Sequence, residues 1–187
     1  MPVIYGIITC FYHIIIEKRL GFWMLIIGVD PGIAIVGWGI LDYTATRFTT
    51  IAYGAITTPA NTPVPDRLLR IADELSGLIG RFKPQDMAVE ELFFNTNQKT
   101  AISVAEARGV ILLCARRGGL YIGEYTPLQV KQAVVGYGRA EKHQVMEMTR
   151  KLLGLEQIPR PDDTADALAI AICHAHSKKM NDIYGKT

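Results

Sequence analysis

The chain has 187 residues and a formal net charge of +2; it is 49% hydrophobic and 20% charged, with 17 glycines and 9 prolines. That balance suits one globular domain or at most two small ones, able to bury a core without staples, and it excludes collagen-like, low-complexity and disordered classes. The 3 cysteines, Cys10, Cys114 and Cys173, are an odd number and far apart, which points away from a disulfide framework and toward a reducing, cytoplasmic setting. Residues 1–90 carry 7 basic and 8 acidic side chains, and residues 91–187 carry 13 and 10. This basic tilt is too small to indicate a nucleic-acid binder by itself.

Residues 1–23 stand apart. MPVIYGIITCFYHIII is almost free of charge and is followed by Glu17, Lys18 and Arg19. The run is short of the roughly 20 apolar residues that a spanning helix needs. A secretory signal would carry its positive charge before the apolar run and a small-residue cleavage site after it. We therefore expect Met24 to be the natural start, residues 1–23 to be a non-native or mis-assigned extension, and the protein to have no membrane attachment.

From Met24 the pattern becomes regular. MLIIGVD (24–30) is a buried-strand run closed by the turn signal Asp30-Pro31-Gly32. AIVGWGILDY (34–43) and the alternating FTTIAYGAIT (48–57) predict two more strands of an antiparallel meander. The stretch from Pro59 to Pro65 breaks the pattern. Leu68, Ile71, Leu75, Leu78 and Phe82 then recur at helical spacing, which predicts an amphipathic helix over 66–82, stopped by Lys83-Pro84. DMAVEEL (86–92) reads as a fourth strand. Residues 98–117 predict a helix apolar on more than one face, buried on two sides, the second side being a candidate subunit interface. LYIGEYT (120–126) is the fifth strand, and helices follow at about 127–135, 140–153 and 163–178. The element string predicts an α/β domain with a five-stranded mixed sheet, three antiparallel strands and then two parallel ones, flanked by helices.

Function turns on carboxylates that are out of place. Asp30 ends an apolar strand, Glu90 interrupts another, and Asp163 and Asp166 lie three apart at a helix start, on one face. Acids are seldom buried unless paired or bound to metal. If the first and fourth strands are neighbours, Asp30 and Glu90 meet and the last helix can bring the other two. Such a cluster repels itself when empty, and an all-oxygen set without Cys or His favours Mg²⁺ or Mn²⁺. Two ions there would support in-line displacement at phosphorus. Each residue also has an ordinary reading. Asp30 before Pro-Gly is a common turn residue, Glu90 could pair at a strand end with Lys83 or Lys99, and Asp162 and Asp163 follow Pro161 where N-capping is usual.

IIGVDPGIAIVGWGIL (26–41), AVEELFFNTN (88–97), AEARGV (105–110), PLQVKQAVVGYGRAEKHQV (127–145) and DDTADALAIAICHAH (162–176) together resemble the RuvC family of bacterial Holliday-junction resolvases, in order and over most of the chain. The resemblance implies an RNase H-like nuclease domain over 24–178, followed by a polar tail at 179–187. It further implies a homodimer that uses two Mg²⁺ ions per subunit, with Mn²⁺ able to substitute, to nick opposed strands of four-way junction DNA. The family's catalytic, metal-holding acids fall on Asp30, Glu90, Asp163 and Asp166, leaving Asp162 as a cap. Phe93 matches an aromatic residue that stacks on an unpaired base, although Phe93 or Phe94 could equally be core. Lys131 and Lys142 match phosphate-holding positions, and Arg108 is a further candidate phosphate contact. The branch-migration proteins RuvA and RuvB are implied partners. Two other readings remain: an RNase H-like nuclease acting on RNA–DNA hybrids, and a module that binds junctions without cutting them.

Overall fold

The computed structural model describes residues 23–44, 47–92 and 98–184. The expectation for the N-terminal extension, except at Trp23, and the placement of Phe93 both lie outside the described residues. The elements are β1 (Trp23–Asp30), β2 (Ile35–Thr44), β3 (Arg47–Thr57), α1 (Val64–Phe82), β4 (Asp86–Glu90), α2 (Gln98–Arg117), β5 (Tyr121–Tyr125), α3 (Pro127–Val135), α4 (Lys142–Leu152) and α5 (Asp162–Tyr184). They form one five-stranded sheet in the order β3-β2-β1-β4-β5. β2 pairs antiparallel with both β1 and β3, whereas β1, β4 and β5 run parallel to one another. This is the expected mixed sheet.

Both faces of the sheet are covered, which is why β1 is apolar without alternation. One core joins Met24 and Ile26 of β1, Leu41 and Tyr43 of β2 and Ala88 of β4 to α3, α4 and α5. The other joins Ile27 and Val29 of β1, Val36 and Ile40 of β2 and Met87 of β4 to α1 and α2. Side chains alternate between the faces of a strand, so Gly28 and Asp30 share the α5 face with Ile26, and Asp86 and Glu90 share it with Ala88. Ile26, Ile27, Leu75, Ile111 and Leu168 are fully buried. Burial of that kind is worth about 1.5–3 kcal/mol per side chain.

Several boundaries differ from expectation for local reasons. α1 starts at Val64, because a proline in the first turn lacks only an N–H that would have had no helical partner. β4 ends at Glu90, after which Glu91 N–H still donates to the Tyr125 carbonyl at 2.9 Å. α5 continues to Tyr184, through most of the stretch expected to be tail, and it starts at Asp162, which puts that residue in the first turn. α2 buries Ala107, Ile111, Cys114 and Ala115 on one side only and exposes Ile102 and Leu113 on the other. Among the described residues, no helix is long and apolar enough to cross a membrane.

Candidate functional site

β1 and β4 run parallel with Val29 opposite Val89, so Asp30 and Glu90, each one residue further on, end neighbouring strands at the same edge of the sheet. Three glycines bring α5 to that edge. A Cβ on Gly28 would stand 2.1 Å from the Ala167 carbonyl oxygen, one on Gly37 1.9 Å from the Asp163 carbonyl oxygen, and one on Gly39 2.4 Å from the Leu168 side chain. Gly28 pairs with Gly39 across β1 and β2, and Gly37 pairs with Asp30. The missing side chains therefore form a groove in which α5 lies against the sheet, and the backbone of Asp163 rests on the residue opposite Asp30. Asp166 follows one turn later on α5. The turn after Asp30 is pinned by Thr58, the residue after β3, and by α1: Thr58 N–H donates to the Ala34 carbonyl at 2.9 Å, Thr58 Oγ1 donates to the Ile33 carbonyl, and Arg67 Nε donates to Thr58 Oγ1 at 2.7 Å.

Burial and like charge act together on these acids. Burial, followed by the charges of Glu90, Asp166 and Asp163, holds Asp30 well above the usual carboxylate range, with Lys142 opposing. Burial and then the charge of Asp166 raise Glu90 to about 7 against Lys142 and Lys131. Asp166 is raised mainly by burial, although Lys142 works against it. Lys142 Nζ stands 3.0 Å from Asp166 Oδ2 and 3.7 Å from Asp162 Oδ2. Burial works to lower the Lys142 pKa, but the hydrogen bond to Asp166 and the charges of Asp166, Asp162 and Asp163 raise it overall. Lys142 is thus the counter-cation of the cluster, although more than half of its side chain is exposed. Asp162 is tied to Arg160 and Lys142.

A pocket of about 190 Å³ opens beside the acids and is lined by Glu90, Lys131, Lys142 and Asp166 together with apolar residues of α3, α4 and α5. Capping boxes fix the two lysine-bearing helices. Thr126 and Gln129 close the start of α3, which carries Lys131, and Glu141 and Gln144 close the start of α4, whose first residue is Lys142. Among the described residues, no three His, Cys, Asp or Glu side chains are gathered closely enough to cage a metal ion as they stand. The donor set itself, all carboxylate and self-repelling, fits a hard divalent cation.

Arg108, expected at a phosphate, turns inward. Its Nε donates to the Glu90 carbonyl at 3.2 Å and its Nη2 to the Glu124 carboxylate. A second polar feature escaped the sequence reading. Tyr125 Oη lies 2.9 Å from His174 Nδ1, His174 Nε2 lies 2.8 Å from Asp86 Oδ2, and Lys178 also donates to Asp86. Burial works to raise the Asp86 pKa, and the His174 and Lys178 hydrogen bonds overcome it, leaving the carboxyl below its usual value. This network ties α5 to β4 and β5 at the end of β4 opposite Glu90. Its sequence signal is His174 in an otherwise apolar stretch of helix.

Residues 26–174 match the family model described as crossover junction endodeoxyribonuclease RuvC. The chain belongs to the RuvC family. A RuvC from Desulfitobacterium hafniense is 59% identical over 157 residues, which span 84% of this chain and 95% of that protein. Another, from Alkaliphilus oremlandii, is 53% identical over 161 residues, spanning 86% and 98%. A solved structure of Thermus thermophilus RuvC in complex with a Holliday junction substrate superposes with a TM-score of 0.80 at 38% identity, covering 84% of this chain and 96% of that one. The fold is accordingly RNase H-like. The yeast mitochondrial Holliday junction resolvase Ydc2 shares that fold at 13% identity, with a TM-score of 0.64.

Proposed function

We propose that the protein is a Holliday-junction resolvase, a divalent-metal-dependent endodeoxyribonuclease that nicks two opposed strands of a four-way junction and leaves 5′-phosphate and 3′-hydroxyl ends. The observation that carries this reading is the convergence of carboxylates from β1, β4 and α5 at one sheet edge, beside a lysine-lined pocket, in a chain of the RuvC family. Asp30, Glu90, Asp163 and Asp166 would hold two Mg²⁺ or Mn²⁺ ions. Bound there, the metal supplies a lowered pKa for water and positive charge at the leaving oxygen. Lys131 and Lys142 would hold the DNA backbone as point charges. Phe93 stacks on an unpaired base near the crossover, worth about 1–3 kcal/mol.

Paired cutting needs two centres related by a two-fold axis, and a homodimer supplies them. Ile102 and Leu113 on the open side of α2 offer an apolar face for that contact. Partnership with RuvA and RuvB belongs to the same reading and rests on family resemblance. The test is incubation with a synthetic four-way junction, linear duplex and an RNA–DNA hybrid in Mg²⁺. Symmetric nicks confined to the junction are expected. Hybrid cleavage would move the activity to another RNase H-like nuclease, and tight junction binding without cutting would leave a binding module.

A further inference from the structure

Arg108 sits on α2 beside the buried Ala107, and its side chain is only 17% exposed. Its two contacts converge on the point where the chain leaves β4. Glu90 is the last residue of that strand, paired with Tyr125, and the preceding pair is Val89 with Glu124. The β5 side of the strand end is held by Glu91 N–H on the Tyr125 carbonyl. On the β1 side, Asp30 is followed by Pro31, which has no N–H to offer. Arg108 Nε supplies a donor to the Glu90 carbonyl, and the Glu124 carboxylate holds the guanidinium that does so. A charged donor on a carbonyl, fixed by an ion pair on its other arm, is stronger than a neutral bond and is set by the planar fork of arginine.

We propose that Arg108, anchored by Glu124, is a positioning residue: it fixes the backbone of Glu90 and thereby sets how tightly the acid site takes a divalent cation, and it does not serve as a phosphate ligand. This inference rests on the proposed metal site. A site of this kind works only if each ligand is held to about 0.5 Å, and partners behind the ligands typically account for 10–100-fold in metal affinity or activity. The sheet holds Glu90 on the β5 side, through its pairing with Tyr125, and the guanidinium supplies the donor that Pro31 cannot offer on the β1 side.

The test uses the full chain as wild type, Arg108→Gln, Arg108→Lys and Glu124→Ala. Three quantities are read: the Mn²⁺ concentration that half-saturates the rise in melting temperature, the junction dissociation constant in EDTA at several salt concentrations, and the Mg²⁺ dependence of cleavage. All three variants are expected to need about tenfold more metal or above, with junction affinity in EDTA and its salt dependence unchanged. Lysine keeps the charge but loses the fork, so Arg108→Lys should not recover the Mn²⁺ midpoint. A phosphate ligand would behave differently: Arg108→Gln would lower the salt slope by about one, Arg108→Lys would restore it, and the metal midpoints would match wild type. That pattern overturns the proposal. If the Arg108 variants fail to fold, Glu124→Ala decides alone, at a position about half exposed, and an unchanged Mn²⁺ midpoint overturns the proposal. A wild type that neither responds to Mn²⁺ nor cuts junctions would instead refute the metal site itself.

Discussion

Glu90 is a carboxyl group raised to about 7, chiefly by burial and then by the charge of Asp166. The sign of the consequence follows from linkage. The folded protein holds this proton more tightly than the unfolded chain, whose glutamate titrates near 4.5, so stability is lost as pH rises from about 4.5 to about 7. Asp30 and Asp166 are raised as well and act in the same direction. Glutamine carries no charge, so metal-free Glu90→Gln should match wild type in melting temperature near pH 4.5 and exceed it increasingly up to about pH 7. Saturating Mn²⁺ should close the gap by stabilising wild type. A gap that stays flat, or widens toward low pH, would contradict the description of this site. At this scale the sequence was informative about the acids, because an ionised residue inside an apolar run contradicts its surroundings. The partners of Lys142 and Arg108 were not legible, because each depends on the approach of elements distant in the chain.

α5 reaches the site through the absence of side chains on the sheet. Gly28→Ala puts a Cβ 2.1 Å from the Ala167 carbonyl oxygen, a backbone atom that cannot turn aside, so the helix must shift away. Overpacking of this sort costs about 1–3 kcal/mol, and here it also moves Asp163 and Asp166 away from Asp30. The expected outcome is a lower urea midpoint together with a larger loss of cleavage than of junction binding. Gly80→Ala on the exposed side of α1 meets no atom within 4 Å and should stabilise by roughly 0.5–1 kcal/mol. Equal behaviour of the two variants would refute the groove. The five strands and the antiparallel meander were readable from run length and turn residues, whereas the adjacency of β1 and β4 stood only as a condition until the structure placed them side by side. The groove was not read, although its signal is present: Gly37 and Gly39 alternate in β2 and so point to the same face. The extension of α5 to Tyr184 was missed although Met180, Ile183 and Tyr184 recur at helical spacing, because that signal covers little more than one turn among polar neighbours.

For the whole molecule, α2 buries one face and leaves Ile102 70% and Leu113 50% exposed, in a helix whose composition predicted burial on two sides. The proposed dimer accounts for the second side. Leu113→Glu should therefore change little in the isolated fold but convert a dimer to a monomer by analytical ultracentrifugation, and coupled cuts to single nicks. A monomeric wild type that still makes paired cuts would contradict it. The dimer axis could not be read from one sequence beyond this apolar excess, since apolar surface identifies no partner by itself.

The most direct measurement compares wild type with Asp30→Asn on a synthetic four-way junction in Mg²⁺, scoring both nicking and binding. Asparagine is nearly isosteric with aspartate but is a much poorer ligand for a hard cation, and it removes a charge that repels Glu90 and Asp166. Symmetric nicks by wild type are expected, lost by at least about a hundredfold in the variant, while the variant still binds the junction. Retention of cutting by Asp30→Asn, or failure of wild type to cut in either Mg²⁺ or Mn²⁺, would contradict the assignment of this acidic edge as the catalytic centre.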